Sequence, residues 1–350
     1  MSKPAFVKKT SKRYNVEDEC KDIIPDKIVL ASKSALKLES LKTVIEEIEL
    51  LDGIPIEHIN CDNELNPPQP INSGIQCARN RLSHLYESSP KVRNVIYISI
   101  ENSVETNYDI KARNWPNSTE NRSNDIAYVV LHFNDKEFTS ESVPIPNPEG
   151  YLEKAVSETP KDFNPLGLSI TLGKLISGDF PDFPADNWMA NPSLSPKYNR
   201  NQQIHGALIS IFAKLFIDRN LLYFGDFPVP GVLFKDMSAV LQNQQVFNLL
   251  DKAMVHDIVR LGWVDKIDQV GGLDARGFIY GPMIAQSLNK GFVMLRKKGK
   301  LPGEQVVINY HTEYSQDEIT VMRECVKPGE RFLLVDDIQA TGGTMRAGMD

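Results

Sequence analysis

Near the end of the chain, Arg331-Phe-Leu-Leu-Val-Asp-Asp-Ile-Gln-Ala-Thr-Gly-Gly-Thr344 sets an apolar run directly before two adjacent carboxylates and a loop of small residues. Such a run reads as a buried parallel strand, and open α/β sheets bind their ligands at the carboxyl ends of those strands. Asp336 and Asp337 stand at that end. Ala340, Thr341, Gly342, Gly343 and Thr344 offer backbone N–H groups and two hydroxyls ahead of a helical start, which is the chemistry of a phosphate cradle. Carboxylates for sugar hydroxyls beside amides for a phosphate describe a sugar-phosphate site.

The rest of the chain is long enough to place this feature in the second of two domains. A chain of 350 residues fits about two domains of ordinary size. The first is expected over residues 27–216. It opens with Lys27-Ile-Val-Leu-Ala31, a short strand, and passes through a Ser/Lys loop into a helix with Leu38, Leu41, Ile45 and Ile48 on one face. Val95 to Ile100 reads as a strand ending at Glu101, Asp125 to Phe133 as another, and Tyr108 to Asn124 as a hairpin loop. Phe180 to Asn199 carries several Pro and Asn residues and reads as an irregular surface loop, after which helical spacing resumes from Gln202 to Phe216.

The second domain is expected over residues 217–350. Asp226 to Asp236 is rich in Pro and Gly and reads as a rigid extended loop. A helix follows from Gln245 to Leu261. Strands then alternate with helices through Ile267–Gly272, the helix ending near Leu288, Phe292–Arg296 and Arg331–Val335. That alternation predicts a parallel sheet covered on both faces.

Charge and composition exclude several classes. A formal charge of -7 opposes a general nucleic-acid binder, which presents a basic face. The four cysteines, Cys20, Cys61, Cys77 and Cys325, are scattered and lack zinc or disulfide spacing, which fits a reducing, cytoplasmic compartment. Residues 1–26 read as a disordered tail without the apolar core of a secretory signal, and no stretch approaches the ~20 apolar residues of a membrane span.

Five segments in order, from about Ile217 onward, resemble the adenine phosphoribosyltransferases, type I phosphoribosyltransferases that use phosphoribosyl pyrophosphate (PRPP). They are Asp226-Phe-Pro-Val-Pro-Gly-Val-Leu-Phe-Lys-Asp236, Gly272-Leu-Asp-Ala-Arg-Gly-Phe278, Arg296-Lys-Lys-Gly-Lys-Leu-Pro-Gly303, Tyr310-His-Thr-Glu-Tyr314 and Val335 to Thr344. The resemblance implies transfer of ribosyl phosphate from PRPP to adenine, giving AMP and pyrophosphate with Mg²⁺ in a homodimer. It puts Asp336 and Asp337 on the ribose, Ala340 to Thr344 on the 5′-phosphate, and Asp274, Ala275, Arg276, Arg296 and Lys300 around the diphosphate. It places Glu313, in a mobile loop spanning Lys297 to Ile319, at the proton on adenine N7. Leu233, Phe234 and Lys235 would form the adenine pocket, with Lys235 where the family usually has Arg. The family also continues beyond the phosphate loop with more helix and another strand, so the domain reads as incomplete at Asp350.

Residues 27–215 resemble, more distantly, the inosine/xanthosine triphosphatases. Ala31-Ser-Lys-Ser-Ala-Leu-Lys37, Gln69-Pro70 with Ala78-Arg79-Asn80-Arg81, Ser99-Ile-Glu-Asn102 and Gly167 to Lys174 carry that likeness. It implies a mixed α/β domain with a triphosphate site at Ser32, Lys37, Arg79 and Lys174, and a metal at Glu101. Glu64-Leu65-Asn66 and Asn72-Ser73-Gly74 occupy places where that family carries acids. Two outcomes therefore stand beside phosphoribosyl transfer: hydrolysis of non-standard purine triphosphates, or a degenerate module that senses nucleotides or acts as a scaffold.

Overall fold

The computed structural model describes residues 24–62, 65–89, 91–107, 123–163, 166–311, 316–337, 345 and 348–349. The chain forms two compact units that divide between Leu250 and Asp251.

In chain order the first unit contains β1 (Lys27–Leu30), α1 (Ala35–Glu47), β2 (Ile56–His58), β3 (Gln69–Pro70), α2 (Gly74–Ser88), β4 (Val95–Glu105), β5 (Asn124–Phe133), β6 (Lys136–Glu141) and β7 (Ile145–Pro146). Then come α3 (Tyr151–Glu158), β8 (Gly167–Leu168), α4 (Leu172–Asp179), α5 (Arg200–Asn220), β9 (Leu222–Gly225), β10 (Leu233–Asp236) and α6 (Ser238–Gln242). Helix α7 (Gln244–Arg260) spans the division.

The main sheet of this unit runs β2-β1-β4-β5-β6, with β1 parallel to β2 and β4 and the later strands antiparallel. Alternation sorts the side chains. Val29, Ala31, Val95, Tyr97 and Val130 meet Ala78, Leu82 and Leu85 of α2, as a pleated strand of period two requires. The Ser/Lys loop becomes a helix where Ser34 caps it, its side chain accepting the Lys37 N–H. Helix α5 starts on a capping box between Asn199 and Gln202.

Three expectations change here. β4 continues past Glu101 to Glu105, so that carboxylate sits inside a strand rather than at its end. Asp226 to Asp236 is not wholly irregular, because Leu233–Asp236 pairs antiparallel with Leu222–Gly225 as a hairpin. The Pro- and Asn-rich stretch after Phe180 holds a short helical turn, Ala185–Ala190, whose Trp188 is 1% exposed and packs with Leu172, Ile176 and Val156. An indole of that size decides a loop's path whatever its polar neighbours prefer. The predicted hairpin loop at Tyr108 to Asn124 lies almost wholly outside the described residues.

The second unit contains β11 (Gln269–Leu273), α8 (Gly277–Ser287), β12 (Gly291–Lys297), β13 (Gln305–His311), β14 (Gln316–Met322) and β15 (Phe332–Val335). Its strand order is β13-β14-β12-β11-β15. The expectation of a parallel sheet holds for β12, β11 and β15 only, since β14 pairs antiparallel with both β12 and β13. Much of the stretch read as a mobile loop is therefore strand. Helix α8 lies against β11 and β12, and Val293, Leu295, Val321, Phe332 and Leu334 line an apolar groove of about 490 Å³ onto which Met345 and Gly348 also pack.

Candidate functional site

Three parallel strands bring their carboxyl ends to one edge of the second unit. Gly272 of β11 is level with Val335 of β15, and Leu273 is level with Leu295 of β12. The next residues along each strand therefore share that edge: Asp274 in the middle, Arg296 to one side, and Asp336 and Asp337 to the other. Glycine makes the approach possible, because a Cβ on Gly272 would fall 2.7 Å from the carbonyl oxygen of Gly277. Helix α8 thus starts directly above the end of β11, with Arg276 as its cap residue. The Asp274–Ala275 peptide that leads into it is cis.

The charged groups at this edge pair with one another. Arg276 Nε lies 2.9 Å from Asp337 Oδ2, with the Arg276 side chain 50% exposed and that of Asp337 7%. Arg296 Nε lies 3.3 Å from Asp274 Oδ2, while its Nη1 donates to the Lys300 carbonyl at 3.3 Å. The Arg296 guanidinium also sits 5.7 Å from the centre of the Phe278 ring. Lys300 itself is exposed. Asp336 accepts the backbone N–H of Asp337 at 2.9 Å. Burial pushes the Asp336 carboxyl up from the usual carboxylate range, with the charge of Asp337 adding to the shift. Tyr280, on α8, is buried, and its phenol is likewise pushed up by burial first and by Asp337 second.

Of the residues expected at the sugar-phosphate site, the structure brings together Asp274, Ala275, Arg276, Arg296, Lys300, Asp336 and Asp337. Glu313, Ala340, Thr341, Gly342, Gly343 and Thr344 lie outside the described residues. Leu233, Phe234 and Lys235 occupy β10 in the first unit. Leu233 is exposed, Phe234 stacks edge to face on Phe227 at 5.1 Å, and the Lys235 ammonium lies 5.8 Å from the Tyr223 ring centre.

The expected triphosphate site in the first unit comes together in part. Lys37 Nζ donates to the Ile100 carbonyl at 2.6 Å and lies 3.6 Å from Glu101 Oε2. Ser32, buried at the start of the same loop, accepts the Ser34 N–H through its hydroxyl. Burial pushes the Lys37 ammonium down, against the pull of Glu101. Arg79 goes elsewhere. It pairs with Glu137 at 2.7 Å, and Glu137 in turn meets His132, whose other ring nitrogen meets the Tyr86 hydroxyl. Lys174 is exposed on the first turn of α4.

Arg81 takes the place expected for Arg79. It forms an ion pair with Glu101 and reaches Asp62 at 2.6 Å. The signal was present in the spacing, since residues two apart on a helix point roughly 200° away from each other. Arg81 falls on the stripe of Ala78, Leu82 and Leu85, and Arg79 does not. Among the described residues no group of three or more His, Cys, Asp or Glu side chains is placed to hold a metal ion.

Comparison with known proteins converges on the C-terminal part of the chain. Residues 236–350 match the model of the phosphoribosyl transferase domain family. The adenine phosphoribosyltransferase of Mus musculus is 42% identical over 134 residues, covering 38% of this chain and 74% of that protein. The adenine phosphoribosyltransferase of Methylobacterium nodulans is 46% identical over 125 residues, covering 36% of this chain and 67% of its own. Among solved structures, the adenine phosphoribosyltransferase of Rhodothermus marinus matches with a TM-score of 0.36 and 37% identity, over 39% of this chain and 76% of that one.

Proposed function

The chain belongs to the adenine phosphoribosyltransferase family, and on that premise we propose that the grouped ends of β11, β12 and β15 carry the reaction. That reaction transfers ribosyl phosphate from PRPP to adenine, yielding AMP and pyrophosphate in purine salvage. The observation that supports the assignment most strongly is the meeting of Asp274, Arg276, Arg296, Asp336 and Asp337 at one sheet edge.

Breaking the bond between the anomeric carbon and the diphosphate leaves positive charge on the sugar and adds negative charge to the departing group. Arg276 and Arg296, each held by a carboxylate, and the exposed Lys300 supply cations for that second charge. Asp336 and Asp337 take the ribose hydroxyls and set negative charge near the developing cation. Ala340 to Thr344 bind the 5′-phosphate through backbone amides, and Glu313 manages the proton on adenine N7. Phe234 stacks on the base, with Leu233 and Lys235 beside it.

Mg²⁺ would be held at this edge mainly by the diphosphate's own oxygens, because Asp274 and Asp337 already pair with Arg296 and Arg276, and it would neutralise part of the leaving charge. Glu101 does not fit a metal, because its charge is already met by Arg81 and Lys37. For the N-terminal part, over residues 27–216, the proposal is therefore a triphosphatase-like domain that binds or scaffolds rather than hydrolyses. The family resemblance extends the proposal to a homodimer acting in the cytoplasm, with the phosphoribosyltransferase domain over residues 217–350.

The assay is AMP formation by the full chain from adenine, PRPP and Mg²⁺. Turnover that falls at least a hundredfold in Asp337→Asn supports the assignment. A folded chain that neither binds PRPP nor forms AMP removes it.

A further inference from the structure

Two residues with separate roles in the proposed reaction hold each other. Arg276 is placed for the diphosphate and Asp337 for the ribose, yet they form one ion pair 2.9 Å long. The same arrangement recurs beside it, where Arg296 is held by Asp274 at 3.3 Å. Resting on the reading above, we infer that Asp337 is a placeholder for the diphosphate on Arg276, so that diphosphate binding and ribose recognition are coupled.

The unequal exposure of the two partners gives the exchange a direction. Arg276 is half exposed, so an anion from solvent reaches it, whereas Asp337 is almost enclosed. An incoming diphosphate draws the guanidinium away and leaves the carboxylate buried without its cation. A buried charge stripped of its partner is costly. Ribose hydroxyls repair the loss by donating to Asp337, and PRPP carries them on the same molecule as the diphosphate. Free pyrophosphate does not. The pair therefore favours the intact substrate over the isolated leaving group.

The test is a double-mutant cycle read by isothermal titration of inorganic pyrophosphate into the full chain. Asp337→Asn removes the competitor for Arg276 and should tighten pyrophosphate binding about two- to fivefold, the range a partly exposed pair supports. In the Arg276→Ala background the same substitution should change nothing, because no held guanidinium remains to be freed. An unchanged or weaker affinity in folded Asp337→Asn overturns the inference. So does an equal gain with Arg276 absent, which would mean simple removal of negative charge. If Asp337→Asn fails to fold by circular dichroism, Asp337→Ser enters the cycle in its place. A wild-type chain that forms AMP while the cycle is flat refutes the placeholder alone. A folded wild-type chain with neither AMP formation nor PRPP binding refutes the reading and the placeholder together.

Discussion

Gly277 lies so close to Val335 that a Cβ added to the glycine would stand 2.3 Å from the valine's carbonyl oxygen. The start of α8 therefore presses on the end of β15, one residue before Asp336. A flexible side chain could move aside, but a backbone carbonyl in a paired strand cannot do so without moving the strand. Gly277→Ala should cost about 1–3 kcal/mol through overpacking. It should also lower AMP formation, because any shift of Val335 carries Asp336 and Asp337 with it. Thermal melting and turnover measured on the same preparation check this, and wild-type values for both would show that the contact has slack.

In the first unit, Glu101 answers two cations from inside β4. Removing it leaves Lys37 and Arg81 facing each other in a site where neither is well hydrated, with only Asp62 on Arg81. Breaking a buried pair from one side typically costs 3–5 kcal/mol, so Glu101→Ala should melt well below the wild type by about that much. Mg²⁺ should not stabilise the wild type more than the variant. A Mg²⁺-dependent rise in melting temperature that vanishes in Glu101→Ala would restore the metal role.

The sequence carried β1, its loop and α1 plainly, because an apolar run followed by a capping serine is a local signal. The apolar run of β15 was as plain. The hairpin of β13 and β14 is not legible in the sequence, since the basic, glycine-containing stretch from Lys297 to Gly303 reads as a loop and the facing of Val306 with Val321 becomes visible only once the two segments pair. Pro228, Pro230 and Gly231 masked β10 in the same way, because its partner β9 supplies the order. At the site, residue types at the strand ends could be named from the motif. That Arg276 and Asp337 would meet could not, since ion pairs between distant segments leave no trace in local spacing.

Asp336 gives a pH signature with a definite sign. Burial raises its folded pKa, so the folded chain holds that proton more tightly than the unfolded chain does. The resulting stability is fully present below the ordinary aspartate value of about 4 and is lost as pH rises through the folded value. Asp336→Asn, neutral throughout, should therefore match the wild type in acid and exceed it in stability near neutrality. Its turnover should fall, because the proposed reaction sets the ionised carboxylate against the cationic sugar. Denaturant melts across that pH range test the point, and a gap that widens toward acid would reverse the assignment.

Phe234 tests the proposed adenine pocket apart from the phosphate chemistry. The ring is half-buried on β10 and braced edge to face by Phe227. Its neighbour Leu233 is 54% exposed, so the hairpin tip adds little to the core and its truncation should leave the fold intact. Stacking a base on an aromatic ring is worth about 1–3 kcal/mol, so Phe234→Ala should raise the KM for adenine by roughly five- to a hundredfold. Phe234→Tyr keeps the ring and should restore it. The KM for PRPP should hardly move, because its contacts are assigned to the ends of β11, β12 and β15. If both constants rose together in Phe234→Ala, the residue would be supporting the site's structure rather than the base. If neither moved, the adenine would have to be held elsewhere.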